Sequence, residues 1–214
     1  MTPETVGRLR AEASRDDYPS MARLARALYE LGHDRREVLR ECYGVTFPEE
    51  LFVVVDGGMW RLELRARFTN QPWQPAVPPD RGGPAATSNS MYGTELRLLA
   101  EDPDLMPLFG IPAVLFDTPD QVVCYRLSEL REGRSTVFRL PRTAPAAKAR
   151  HCGASMLEVL HREHLQAVRR VEKQLSDPRN WGAGSVDDEE VAEEYAALER
   201  VRELQRRVAE RAEG

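Results

Sequence analysis

"CYGVTFPEELFVVVDGG", residues 42–58, carries two opposed signals. Val53, Val54 and Val55 favour a strand, because β-branched side chains sit easily on a pleated surface. Phe47-Pro48-Glu49-Glu50 instead reads as a helix start: proline fits the first helical position, and acidic residues suit the positive end of the helix dipole. In a helix from Pro48, Leu51, Phe52 and Val55 share a face and Gly57-Gly58 supplies the stop. A strand over Leu51–Val55 would need apolar cover on both faces. The punctuation at both ends decides for the helix.

Working toward the N-terminus, Gly44 closes a short helix that Asp34 and Glu37 open with capping-box spacing. Before it, Met21, Leu24, Ala25, Leu28 and Leu31 form an apolar stripe ending at Gly32, and Thr2-Pro3-Glu4 opens a first helix. Toward the C-terminus the period changes. In "MWRLELRARF" Trp60, Leu62, Leu64, Ala66 and Phe68 alternate with charged residues, the pattern of a half-exposed strand. "TNQPWQPAVPPDRGGPAATSNS" then places five prolines and two glycines in 22 residues, which reads as a long excursion over the surface. "TELRLLAEDPDLM" reads as a helix and a turn, "IPAVLFD" and "QVVCYRL" as strands joined at Thr118-Pro119-Asp120, and "STVFRLP" as a further strand.

Helices return at the end. Ser155 and Glu158 have capping-box spacing before a stripe of Leu157, Leu160, His164, Val168, Val171 and Leu175. "SDPRNWGAGS" breaks it. Ser185 and Asp188 then open a last helix with Val191, Tyr195, Leu198, Val201, Leu204 and Val208 on one side. That stripe needs cover, from the chain's own helices or from a second copy as a homodimer. The expected class is α+β: N-terminal helices, an antiparallel sheet of four to six strands over about Met59–Leu140, and two long C-terminal helices. The expected organisation is one domain over residues 1–180 with a helical extension over 181–214.

Composition narrows the partners. A net charge of −5 argues against nucleic acid as the main partner, since phosphate neutralisation needs a basic surface. No apolar run reaches the length of a membrane span, and the first twenty residues show no secretory h-region. Cys42, Cys124 and Cys152 are too widely spaced for a disulfide framework or a CxxC metal site, so reduced thiols in a cytoplasmic protein are expected.

The order of these pieces is similar to the SMI1/KNR4 family, also called the SUKH superfamily. Phe47-Pro48 stands where that family has Leu-Pro before a helix, and Asp56-Gly57-Gly58 where it has Asn-Gly-Gly. Ile111-Pro112 matches its apolar-Pro-apolar strand entry, and Ser155-Met156 to Leu160 its final helix. The match covers residues 34–162, with Phe47 and Met156 departing from the usual leucine and phenylalanine. The resemblance implies an antiparallel sheet with helices against one face, and binding rather than catalysis. Bacterial members are commonly immunity proteins that neutralise toxin domains, and eukaryotic members act as scaffolds. It carries over no catalytic residue and no cofactor.

A few residues could carry chemistry of their own. Glu158, His161 and His164 lie at helical spacing, with His151 or Cys152 available to complete a metal site for a hydrolase. Histidines on an apolar stripe are more often packed core residues, and "HREH" lacks the geometry of HExxH. Cys152 with His151 or His161 lacks a third orienting group. Asp117 and Asp120 flank a turn, where aspartates commonly bond local backbone. The expectation is therefore no enzyme, no metal and no cofactor. Trp73, Arg81, Asp117 and Asp120 are the candidate partner-binding residues, with a buried Trp73 as the alternative for that side chain.

Overall fold

The computed structural model describes residues 3–81, 90–113, 119–176 and 188–213. In chain order its elements are α1 (Pro3–Glu12), α2 (Tyr18–Glu30), α3 (Arg35–Tyr43), α4 (Glu49–Asp56), β1 (Arg67–Phe68), α5 (Trp73–Ala76), α6 (Tyr92–Glu101) and β2 (Leu105–Ile111). There follow β3 (Gln121–Arg126), α7 (Leu127–Arg131), β4 (Val137–Pro141), β5 (Arg150–Gly153), α8 (Met156–Ser176) and α9 (Asp188–Glu213). The fold is α+β. The chain divides into two compact units, Met1–Pro48 with Ala66–Ala154, and Glu49–Arg65 with Ser155–Gly214.

The first unit holds an antiparallel meander of five strands in the order β1-β2-β3-β4-β5. α6 lies against it: Met91 and Leu98 pack with Leu105, Val122, Cys124 and Leu140 in one cluster. Gly110 is where that approach is closest, since a Cβ there would lie 2.7 Å from the Met91 sulfur. A second cluster joins α1, α2 and α3 through Val6, Leu24, Leu28 and Val38. The capping box of α3 forms with both its bonds, Glu37 N–H to Asp34 and Asp34 N–H to Glu37, each 2.9 Å. Gly44 ends α3 in the left-handed region at φ 66°.

The second unit answers the question of residues 42–58. Leu51–Val55 form a helix and all five are buried. A helix apolar on every side is a core helix, which is why its composition imitates a strand. Glu50 is buried beside them, and its carboxylate accepts the Met156 and Leu157 N–H groups at 2.9 and 3.1 Å. These are unpaired donors of the first turn of α8, the positive end of its dipole. α9 packs against α8 and α4, burying Ala197, Leu198, Val201 and Leu204. Val191 and Val208 are half-buried, and Tyr195 is 44 % exposed with its hydroxyl bonded to Glu172.

Three expectations are corrected. The alternating stretch 59–68 is not a strand: Met59–Arg61 form a 3-10 turn and only Arg67–Phe68 pair. Gly58 at φ 70° and Glu63 at φ 48° turn the backbone where a strand would have to stay extended. A strand forms over Leu105–Ile111, where a helix and a turn were expected as far as Met106, with a register shift between Pro107 and Phe109, and residues 114–117 of the strand expected from Ile111 lie outside the described residues. Proline is tolerated there because the bulge removes the ladder bond it would have to donate. Third, segment 69–76 does not run over the surface. Thr69, Asn70, Gln71, Trp73, Gln74 and Ala76 are all buried. The expected break at 177–185, the Ser185 cap, most of the Pro-rich stretch after Arg81, and Asp117 lie outside the described residues.

Candidate functional site

The first unit builds its site on segment 69–76, held from three directions. Glu95, on α6, is buried and accepts the Asn70 and Gln71 N–H groups, both at 2.9 Å. Tyr43, at the end of α3, donates its hydroxyl to Gln71 Oε1 at 3.2 Å, and Tyr18, opening α2, donates to Gln74 Oε1. Thr69 and Trp73 meet the carbonyls of the β2 bulge: Thr69 Oγ1 donates to Pro107 and Leu108, and Trp73 Nε1 to Leu108 at 2.6 Å. Phe68 stacks edge-on against Trp73 and Phe109 at 5.0 and 5.9 Å.

Burial pushes the Glu95 carboxyl up to about 7, against the two backbone N–H groups and Arg15, which favour its ionised form. Burial also raises the Tyr18 and Tyr43 hydroxyls. A carboxyl titrating near neutrality is a common mark of a catalytic acid or base. Here both of its oxygens hold backbone, so its present work is to fix segment 69–76.

Beside this network a cleft of about 540 Å³ opens, lined by Ser14, Arg15 and Asp16 between α1 and α2, Tyr43 on α3, and Leu127 and Arg131 on α7. Cys42 also lines it. Burial raises that thiol to about 12, which leaves it protonated and a poor nucleophile at neutral pH.

The second unit has one buried histidine. His164 on α8 accepts the Arg65 N–H at Nε2, 3.3 Å, which places the ring proton on Nδ1. Nδ1 faces Glu194 Oε2 at 3.9 Å, and Glu194 is paired with the Arg65 guanidinium at 2.5 Å. Burial, with Arg65 and Arg200 nearby, lowers His164 to about 4. Its Nε2 lone pair is spent on backbone, so it is not offered to a metal. Among the described residues no group of three or more His, Cys, Asp or Glu is gathered as a metal ion would need. Glu158 is exposed and His161 half-buried on the same helix. His151 packs edge-on against Phe138 at 6.3 Å in the β4–β5 pair.

Of the residues expected to meet a partner, Trp73 took the buried alternative: it is 0 % exposed. Arg81 is exposed, its guanidinium 4.3 Å over the Tyr29 ring. Asp120 accepts the Ala113 N–H at 2.7 Å and pairs with Arg142 and Arg67 at 3.4 and 3.7 Å. The structure does not gather Trp73, Arg81 and Asp120 through any shared contact among the described residues. Glu50, Glu95 and Arg15 were missed in the sequence. Glu50 carried a signal, an acid inside an apolar helix, but read as a dipole residue of its own helix. Compared with protein-family models, with curated proteins and with solved structures, the chain gave no match.

Proposed function

We propose that this chain is a non-catalytic protein-binding module of the SMI1/KNR4 kind, an immunity protein that neutralises a toxin domain by stoichiometric binding. The observation that supports the reading is the order of elements at the positions that carry the resemblance. A helix follows Phe47-Pro48 and closes at Gly57-Gly58, an antiparallel meander follows, and a further helix begins at Met156. The titratable groups agree with a binding role. Glu50 and Glu95 hold backbone N–H groups of a distant segment with their carboxylates, and His164 holds one with its Nε2.

The test is made with the product of the neighbouring gene. Co-expression should restore growth to cells that produce the toxin domain, and the purified pair should elute as a one-to-one complex. A neighbouring product that neither binds nor is neutralised overturns the immunity reading. Capture of several unrelated proteins would then point to a scaffold, and zinc bound stoichiometrically and lost in a His161→Ala/His164→Ala variant to a metal-dependent hydrolase.

A further inference from the structure

Arg15 is a half-buried cation that makes no direct ion pair among the described residues. Its guanidinium donates to the carbonyls of Pro103 and Leu105, the latter at 2.6 Å, and touches the Met106 sulfur at 3.9 Å. Its Nε has no acceptor among the described residues. Burial is the main influence on it and lowers its pKa. The acids whose fields reach it are committed elsewhere. Glu95 holds the Asn70 and Gln71 N–H groups, and Asp104 holds Arg126 at 3.2 Å and the Ser128 N–H at 2.7 Å. A cation partly withdrawn from water gains from a partner that offsets the lost hydration.

A second cation shares the cleft. Arg131, in the last turn of α7, is exposed, lines the same wall, and is near enough to lower Arg15 further by repulsion. An anion in the cleft that both lining arginines reach would offset that repulsion. The rest of the lining fixes what kind of anion. Leu99, Ala100, Pro103 and Leu127 make an apolar wall, which suits a hydrocarbon body. Asp16 stands at the rim, its charge held by a bond from Ser14 Oγ, and disfavours a dianion such as phosphate. A volume of about 540 Å³ is of the size that takes a small ligand or a single residue of a peptide.

We propose that this cleft binds a monoanionic carboxylate on a short, branched apolar body, with Arg131 and Arg15 on the carboxylate and Leu99 and Leu127 on the body. The site stands apart from the toxin-binding reading, so its test uses the full chain alone. The isotopically labelled protein is titrated with N-acetyl-leucine, with the neutral N-acetyl-leucinamide, and with 4-methylpentanoate. The carboxylates should shift the amide signals of residues 13–16, 42–43, 99–103 and 127–131 saturably, and the amide should not. Arg131→Gln, at an exposed position that leaves the fold intact, should weaken binding about tenfold. Tighter binding of N-acetyl-leucine than of 4-methylpentanoate would identify a chain terminus as the source, and the reverse a free acid; either supports the site. Equal shifts from acid and amide, shifts elsewhere on the protein, or an Arg131→Gln variant that binds like the wild type would overturn it.

Discussion

Segment 69–76 of the first unit and helix α9 of the second are both held in place, by opposite means. The segment is polar and rich in proline, yet Thr69, Asn70, Gln71 and Gln74 are buried, held by groups remote in sequence: the Pro107 carbonyl, the Glu95 carboxylate and the Tyr43 and Tyr18 hydroxyls. α9 is a long helix of 26 residues whose hold is apolar, through Ala197, Leu198, Val201 and Leu204. Burial is therefore not a function of hydropathy alone. A buried polar group is tolerable when paired and expensive when not, so the segment should fail abruptly when one clamp is cut. The helix should lose stability in proportion to the area removed.

The largest effect expected is from ending the chain after Asn180. Burying Leu198, Val201 and Leu204 is worth on the order of 1.5–3 kcal/mol each, and their counterparts on α4 and α8 would be uncovered as well. The truncated protein should melt far below the full chain or aggregate, as seen by thermal unfolding and light scattering. An unchanged melting temperature and oligomeric state would mean that α9 contributes nothing. Next comes Trp73→Ala, at about 4 kcal/mol from the cavity, with the Leu108 carbonyl also losing its indole donor. Denaturant unfolding measures it. A loss below about 0.5 kcal/mol, the range of ordinary surface substitutions, would return segment 69–76 to the surface.

The same contrast explains what was legible. α4, α3 with its caps, α8 and the stripe of α9 follow from local punctuation and period. The stretch 59–68 alternates as a strand does, but the positive φ of Gly58 and Glu63 overrides the pattern, and Glu63 gives no warning of it. β5, Arg150–Gly153, is short and polar and shows no period. Nothing within 69–76 announces burial: Glu95 lies 24 and 25 residues from the two amides it holds, and Tyr18 lies 56 from Gln74. The cleft was illegible for the same reason, since its walls come from α1–α2, α3, α6 and α7.

The two buried titratable groups sharpen the comparison through pH. Glu95 is raised by burial to about 7 from an ordinary value of 4.5, so the folded state holds its proton more tightly. Its stabilising contribution is full below about 4.5 and is lost as pH rises through about 7. His164 is lowered to about 4 from 6.5, so the unfolded state takes the proton first. Its contribution is full above about 6.5 and is lost as pH falls through about 4. Each amounts to about 3 kcal/mol, with opposite slopes that overlap between pH 4.5 and 6.5. Glu95→Gln should leave a protein whose stability rises with pH across that window, and His164→Gln one whose stability falls. Urea midpoints at half-unit pH steps separate them; profiles parallel to the wild type for both variants would remove these groups from the balance.

The smallest effect tests where the hold on α9 resides. Arg211, near its end, pairs with Glu49 and Asp56 of α4, both at 2.9 Å, and these partners raise its pKa further. The geometry looks like a clasp between the two helices. Its physics says otherwise: the guanidinium is exposed to water, and exposed ion pairs lose in side-chain entropy and screening most of what they gain. The apolar contacts at Leu204, whose side chain lies 3.2 Å from where a Cβ on Gly57 would be, secure the same pair of helices in a dry setting. Arg211→Ala should leave the melting temperature within error of the wild type at moderate salt, whereas Leu204→Ala should cost about 2–5 kcal/mol. Repeating both at high salt completes the test, because screening reaches the exposed pair and not the buried leucine. If Arg211→Ala proved the more damaging of the two, and salt reproduced its loss in the wild type, charge would be what holds α9 to α4.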